Sequence, residues 1–112
     1  MTVTIYHNPR CSKSRQTLDL LQDKGVELEI VEYLETPPSA DELKRIVGLL
    51  GIGVGDIVRA KEAAEEGVDM ALDDEALIAG IIAHPRILQR PIVVNGDRAV
   101  IGRPPENVFD IL

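Results

Sequence analysis

The sequence predicts an α/β fold, a four-stranded mixed sheet flanked by helices with a helical insertion, in a chain of 112 residues. Three observations predict it. A strand, helix, strand pattern opens the chain. Near its other end, Asn95-Gly96 separates two short apolar runs, the strongest short signal for a hairpin. Between these regions the apolar residues recur at helical spacing.

In the first region, Thr2 to Tyr6 alternates with Val3 and Ile5 on one face, a short strand. A loop with His7, Asn8 and Pro9 follows. Ser12 to Lys24 reads as a helix with Leu18 and Leu21 inward and Gly25 as its stop. Val26, Leu28 and Ile30 alternate with Glu27 and Glu29, a second strand. A βαβ unit of this length makes the two strands parallel.

Thr36-Pro37-Pro38 breaks the pattern. Ser39 with Glu42 three residues on forms a capping box for a helix carrying Leu43, Ile46, Val47 and Leu50, which Gly51 ends. A second insertion helix is expected from about Asp56 to Glu66. Asp73 caps a third, with Leu77, Ile78, Ile81 and Ile82, and Pro85 lies beyond it. The insertion runs from about 39 to 84. Pro91 to Val94 and Arg98 to Ile101 are then antiparallel neighbours, and Pro104-Pro105 opens a final helix with Val108, Ile111 and Leu112 inward. The order β-α-β, helices, β-β-α is that of a single thioredoxin-like domain spanning residues 1–112.

Composition narrows the function. Hydrophobic residues make up 45% and charged residues 28%, the balance of a soluble globular domain. The net charge of −7 disfavours nucleic acid and nonspecific membrane partners. No apolar run approaches the roughly 18 residues of a membrane span, and the first residues carry no secretory pattern, so a cytoplasmic location is expected. The single cysteine excludes an internal disulfide and a Cys-rich zinc site.

Cys11 sits between the first strand and the first helix. A helix starting near Ser12 places the sulfur against free N–H groups and the positive end of the helix dipole, with Arg10, Lys13 and Arg15 nearby. Many free cysteines are merely buried small hydrophobes, but the flanks here are polar. The same helix start suits an anion, with Ser12 and Ser14 as hydroxyl donors or simple caps. Arg90 directly precedes the third strand, which in a thioredoxin-like fold lies beside the nucleophile loop. Arg103 follows the hairpin. A guanidinium fork matches a tetrahedral oxyanion better than an ammonium does. His7 either tunes the thiolate or only satisfies its loop, and His84 reads as a C-terminal cap. The Arg90-Pro91 bond is expected to be cis, with Pro91 facing the nucleophile.

Tyr6-His7-Asn8-Pro9-Arg10-Cys11-Ser12-Lys13-Ser14-Arg15 resembles the active-site signature of the glutaredoxin-coupled arsenate reductase family. Tyr33-Leu34-Glu35-Thr36-Pro37-Pro38, His84-Pro85, Arg90-Pro91-Ile92-Val93-Val94 and Arg103-Pro104 resemble it in the same order. The resemblance implies that Cys11 is the nucleophile, that His7 is the loop histidine, and that Arg59, Arg90 and Arg103 surround the oxyanion. Position alone would leave Arg59 as a solvated helix residue. It further implies arsenate as substrate and glutathione and glutaredoxin as reductants, with no bound metal or organic cofactor. Two other classes remain at this level. A monothiol glutaredoxin-like transferase would need a glutathione groove in place of an arginine cradle. An RNA polymerase-binding regulator of the Spx type commonly carries a Cys-x-x-Cys switch, where this chain has Ser14.

Overall fold

The computed structural model describes residues 2–112. Its sheet has four strands in the order β2-β1-β3-β4: β1 (Thr2–His7), β2 (Glu27–Glu32), β3 (Ile92–Asn95) and β4 (Arg98–Ile101). β1 and β2 are parallel, with His7 opposite Glu32 at their carboxyl ends. β1–β3 and β3–β4 are antiparallel, with Ile5 opposite Val93 and Val93 opposite Val100. This is the mixed thioredoxin-like sheet that the element order implies. Helix α1 (Ser12–Asp23) makes the crossover between the parallel strands.

The chain divides into two compact units, one holding the residues up to Thr36 and Arg90–Leu112, the other Pro37–Gln89. The second unit is the insertion, somewhat wider than the expected 39–84.

In the first unit, Val3, Ile5 and Val93 on one sheet face pack with Leu21 of α1 and with Val108 and Ile111. Leu18 and Leu28 join them at the rim. The parity of each strand forces the choice, because alternate residues share a face. β2 is an edge strand, and its exposed Glu27, Glu29 and Glu32 guard that edge. Ile30, which shares the apolar parity of Leu28, is exposed there. The hairpin forms where expected, but its two central residues are Gly96 and Asp97, since Asn95 still pairs with Arg98. Of these two, only Gly96 has positive φ, +63°, which is what a turn needing a positive φ at its first position demands. Asn95 instead donates from Nδ2 to the carbonyl of Ile111 at 2.6 Å. The last element, Pro105–Ile111, is a 3₁₀ helix, and Leu112 is exposed instead of inward.

In the second unit, α2 (Ala40–Leu50) carries the predicted capping box, and Gly51 ends it with φ +69°. The helix expected over 56–66 is split. Val54–Ile57 is a 3₁₀ turn, Val58 and Arg59 are extended, and α3 covers only Ala60–Glu65. The break has a cause: Val58 bridges Leu88, Gln89 N–H donates to the Ile57 carbonyl, and Arg59 N–H donates to the Ile87 carbonyl. α4 (Asp74–Ala83) is capped by the Asp73 side chain, and His84 occupies its C-cap.

The Arg90-Pro91 bond is cis, as expected, and so is Arg103-Pro104, which was not anticipated. The two prolines flank a close approach. Gly102 N–H donates to the Pro91 carbonyl at 2.9 Å. A Cβ at Gly102 would lie 2.7 Å from Thr17 Oγ1 and 2.8 Å from Pro91 Cγ. Neither neighbour can yield: Pro91 is a ring in the chain, and Thr17 Oγ1 is held by the Lys13 carbonyl at 2.8 Å. Gly102→Ala is therefore expected to destabilise the fold by about 1–3 kcal/mol through overpacking, read as a lower Tm in thermal unfolding. A Tm equal to wild type would show that this contact relaxes freely.

Candidate active site

Cys11 is the N-cap residue of α1, extended at φ −95° and ψ 123°, and its side chain makes no capping hydrogen bond. Its carbonyl accepts the first helical bond, from Arg15 N–H at 3.0 Å. The N–H groups of the first turn have no helical partners, and those of Lys13 and Ser14 face the sulfur closely enough to favour its charged form without closing a cap hydrogen bond. Burial of the half-exposed thiol pushes its pKa up, the largest single influence. The Ser14 N–H, the Arg90 side chain, the Lys13 N–H and the charge of Arg90 together outweigh burial, and the pKa is lowered. The thiolate is stabilised as the sequence pattern anticipates.

The loop before Cys11 is built by hydrogen bonds within it. Asn8 Oδ1 accepts from Arg10 N–H and the Asn8 carbonyl from Cys11 N–H, both at 3.0 Å. Arg15 Nη1 donates to the Pro9 carbonyl at 3.0 Å, which draws one loop cation back onto the backbone.

Ser14 is fully buried. Its Oγ accepts from Asn8 N–H at 3.0 Å and lies 2.6 Å from His7 Nδ1. The Ser14 hydroxyl is thus engaged inside the loop, and the residue meets the site through its backbone N–H. Ser12 is exposed. His7 is buried, and burial lowers its pKa; Glu32 raises it and Arg15 lowers it further. The imidazole is neutral at neutral pH. We assign the Ser14 hydroxyl proton to Nδ1, because Oγ already accepts from Asn8 and has its own proton to give.

Arg90 reaches Cys11, as its place before β3 suggests, and its Nε is buried without a hydrogen-bond partner among the described residues. Arg103 is exposed, one residue beyond the Gly102–Pro91 contact. Arg59 belongs to the second unit, where it is the N-cap of α3. Its Nε pairs with Glu62 Oε2 at 2.9 Å, and its Nη1 is buried with no partner among the described residues. His84 holds the C-cap position of α4, and its Nδ1 lies 3.9 Å from Glu66 Oε1 rather than on the last carbonyls of the helix.

One residue of this neighbourhood escapes the sequence argument. Tyr33 directly follows β2 and is fully buried. Burial raises its pKa, while Arg90 and Asn8 oppose that and the charge of Cys11 adds to it. The available signal was topological: ligands gather at the carboxyl ends of parallel strands, and Tyr33 follows one such end as His7 closes the other. A shallow cleft of about 330 Å³ lies on the same side, lined by Asn8, Pro9, Arg10, Glu32, Leu34 and Glu35. Among the described residues, no three His, Cys, Asp or Glu side chains gather to hold a metal ion, and no helix is long and apolar enough to cross a membrane.

Similar proteins share this framework. A model of the ArsC family matches residues 6–111. The chain is 45% identical over 114 residues to a protein named arsenate reductase from Neisseria meningitidis serogroup B, covering 98% of this chain and 97% of that one. It is also 45% identical over 116 residues to an arsenate reductase of Haemophilus influenzae, covering 100% of both chains. The solved structure of an arsenate reductase from Vibrio cholerae superposes with a TM-score of 0.89 at 47% identity, covering 100% of this chain and 98% of that one. The family match takes in the Cys11 loop, α1, the insertion and the β3–β4 hairpin, and on that extent of agreement the chain belongs to the ArsC family.

Proposed function

We propose that this chain is an arsenate reductase in which the Cys11 thiolate attacks arsenic. The observation that carries the reading is the thiol at the N-cap of α1, its pKa lowered against burial by two backbone N–H groups and Arg90. The names of full-length relatives at 45% identity support arsenate as substrate.

In the first step an S–As bond forms and one arsenate oxygen leaves as water, taking up protons; arsenic remains As(V). The chain has no second thiol, so the next must arrive from solution. Glutathione displaces another oxygen as water. A glutaredoxin thiolate then attacks the glutathione sulfur, forms a mixed disulfide, and leaves the electron pair of the broken S–As bond on arsenic. Hydrolysis of the remaining S–As(III) bond releases arsenite and returns Cys11. This chain contributes the nucleophile, its activation and the grip on the oxyanion.

Arg90 and Arg103 are assigned to that grip with Ser12 and the first-turn N–H groups of α1, and Arg59 is assigned to it on the family resemblance alone. Guanidinium donors to an anion are shorter and stronger than neutral ones. His7 is a positioning residue: through Ser14 it holds the turn whose N–H faces the sulfur. The direct test is arsenite formation from arsenate in the presence of glutathione and glutaredoxin, with omission of each in turn. Formation of arsenite at the uncatalysed rate would overturn the reading.

Two further outcomes are expected. Alkylation of Cys11 should follow the thiolate. Because the folded pKa is lowered, the rate stays high at pH values where a free thiol is already protonated, and it falls only as pH drops through the lowered pKa. Cys11→Ser should abolish turnover, since no neighbouring base is strong enough to ionise a hydroxyl. A midpoint at or above that of a free thiol would contradict the geometry.

Arg90→Ala should do two things at once: raise the alkylation midpoint and weaken arsenate binding by about tenfold or more, the scale of a lost charge-assisted hydrogen bond. Arg90→Lys keeps the charge but not the fork and should recover the midpoint better than the binding. Arg59→Ala and Arg103→Ala should weaken binding with a smaller effect on the midpoint. Equal arsenate affinity in all three alanine variants would remove the arginines from the site.

A further inference from the structure

We propose that Tyr33 is an anion-contacting residue of the Cys11 site, its hydroxyl donating a hydrogen bond to an oxygen of the bound oxyanion beside the Arg90 guanidinium. The proposal rests on the oxyanion reading given above and adds to it a donor that neither the sequence pattern nor the arginine cradle supplies.

The side chain is 0% exposed, yet Tyr33 Oη has no hydrogen-bond partner among the described residues. Buried hydroxyls are almost always satisfied, because an unmade bond leaves the cost of desolvation uncompensated. The groups around it explain what would satisfy it. Arg90 and the Asn8 side chain face the hydroxyl oxygen as donors, without closing a hydrogen bond of good geometry, so neither takes up its proton, and the Cys11 sulfur acts on it through charge alone. Arg90 Nε is a second buried donor without a partner. Two orphaned donors therefore flank a nucleophile that already has its own N–H donors. What the cluster lacks is acceptor oxygen. An arsenate, phosphate or sulfate ion brings several acceptor oxygens on one centre, the chemistry that serves a thiol attacking that centre and two donors beside it.

The hydroxyl is suited to donating and unsuited to acting as a base. Burial raises the Tyr33 pKa, so the proton is retained throughout the range in which the Cys11 thiol ionises. Its position is also fixed: Tyr33 begins the turn after β2, and the Glu35 and Thr36 N–H groups both donate to the Glu32 carbonyl, at 3.0 and 2.9 Å.

Tyr33→Phe tests this without disturbing the ring. A hydroxyl that held the fold would cost stability when removed; an orphaned one costs nothing. In anion-free buffer the variant is expected to melt at or above the wild-type Tm. Titration with sodium arsenate, and separately with sodium sulfate, is expected to show affinity reduced about tenfold to a hundredfold and a smaller anion-dependent rise in Tm. The chain has two tyrosines and no tryptophan, so anion binding should also give a near-ultraviolet tyrosine difference spectrum in wild type that the variant lacks. A lower Tm with unchanged affinity would make the hydroxyl structural and overturn the proposal, as would unchanged affinity alone. Wild-type protein that bound neither anion would overturn the oxyanion reading together with it, whereas wild-type binding that survives Tyr33→Phe removes only Tyr33.

Discussion

The loop between β1 and α1 has to leave N–H groups open toward Cys11 while leaving none of its own buried polar groups unpaired, and Ser14 is where these two demands meet. Its Oγ accepts from Asn8 N–H and bonds His7, while its backbone N–H serves the sulfur. Remove the hydroxyl contacts and the Asn8 N–H and His7 Nδ1 lose their partners inside the protein, at the cost of about 1–3 kcal/mol for each buried group left unsatisfied. The nucleophile is thus activated by a turn whose shape is set seven residues earlier, at the end of β1. That the donors to the sulfur belong to the backbone matters for the chemistry: they are held by the helix, and nothing has to reorganise when charge appears on the thiol.

The other wall of the site is held from below. Gly102 lets the hairpin strand exit pass against Pro91 and Thr17 with no side chain between them. Thr17 belongs to α1, and Pro91 carries Arg90 on its amino side. One small residue therefore couples the helix that presents Cys11 to the arginine that reaches it. The hydrophobic contacts of Leu21, Val93, Val108 and Ile111 hold the same layers together farther from the chemistry.

Much of this could be read from residues in order. The βαβ unit, the capping box at Ser39, the hairpin and the place of Cys11 each follow from local pattern, since each depends on neighbours in the chain. The failures share a cause: they depend on partners distant in sequence. The 56–66 segment has helical composition but is drawn out at Val58–Arg59 by pairing with residues 87–89. Ile30 alternates correctly yet lies on an edge strand, where one face is not covered. Ser14 read as an anion donor or a helix cap because both suit a serine near a helix start, and only the fold reveals that His7 and Asn8 occupy its hydroxyl. Tyr33 was invisible for the opposite reason. Its stretch resembles the family, but nothing in the sequence gives Tyr33 itself a role, and its significance lies in a missing partner.

The proposed binding of an oxyanion by a chain of net charge −7 is a question of distance. Residues 7 to 15 contain Arg10, Lys13 and Arg15 and no acid, and the stretches 84–91 and 98–104 contain arginines and no acid. At physiological ionic strength, charges farther than about 8 Å are largely screened, so an arriving anion meets the local set and not the total. Glu32 comes near through its pairing with the end of β1, and Glu35 shares the cleft beside the loop. Glu32 raises the His7 pKa, but burial prevails and the imidazole stays neutral. A neutral ring keeps Nδ1 an acceptor for the Ser14 hydroxyl, so Glu32 leaves intact the hydrogen bond that shapes the turn under the sulfur.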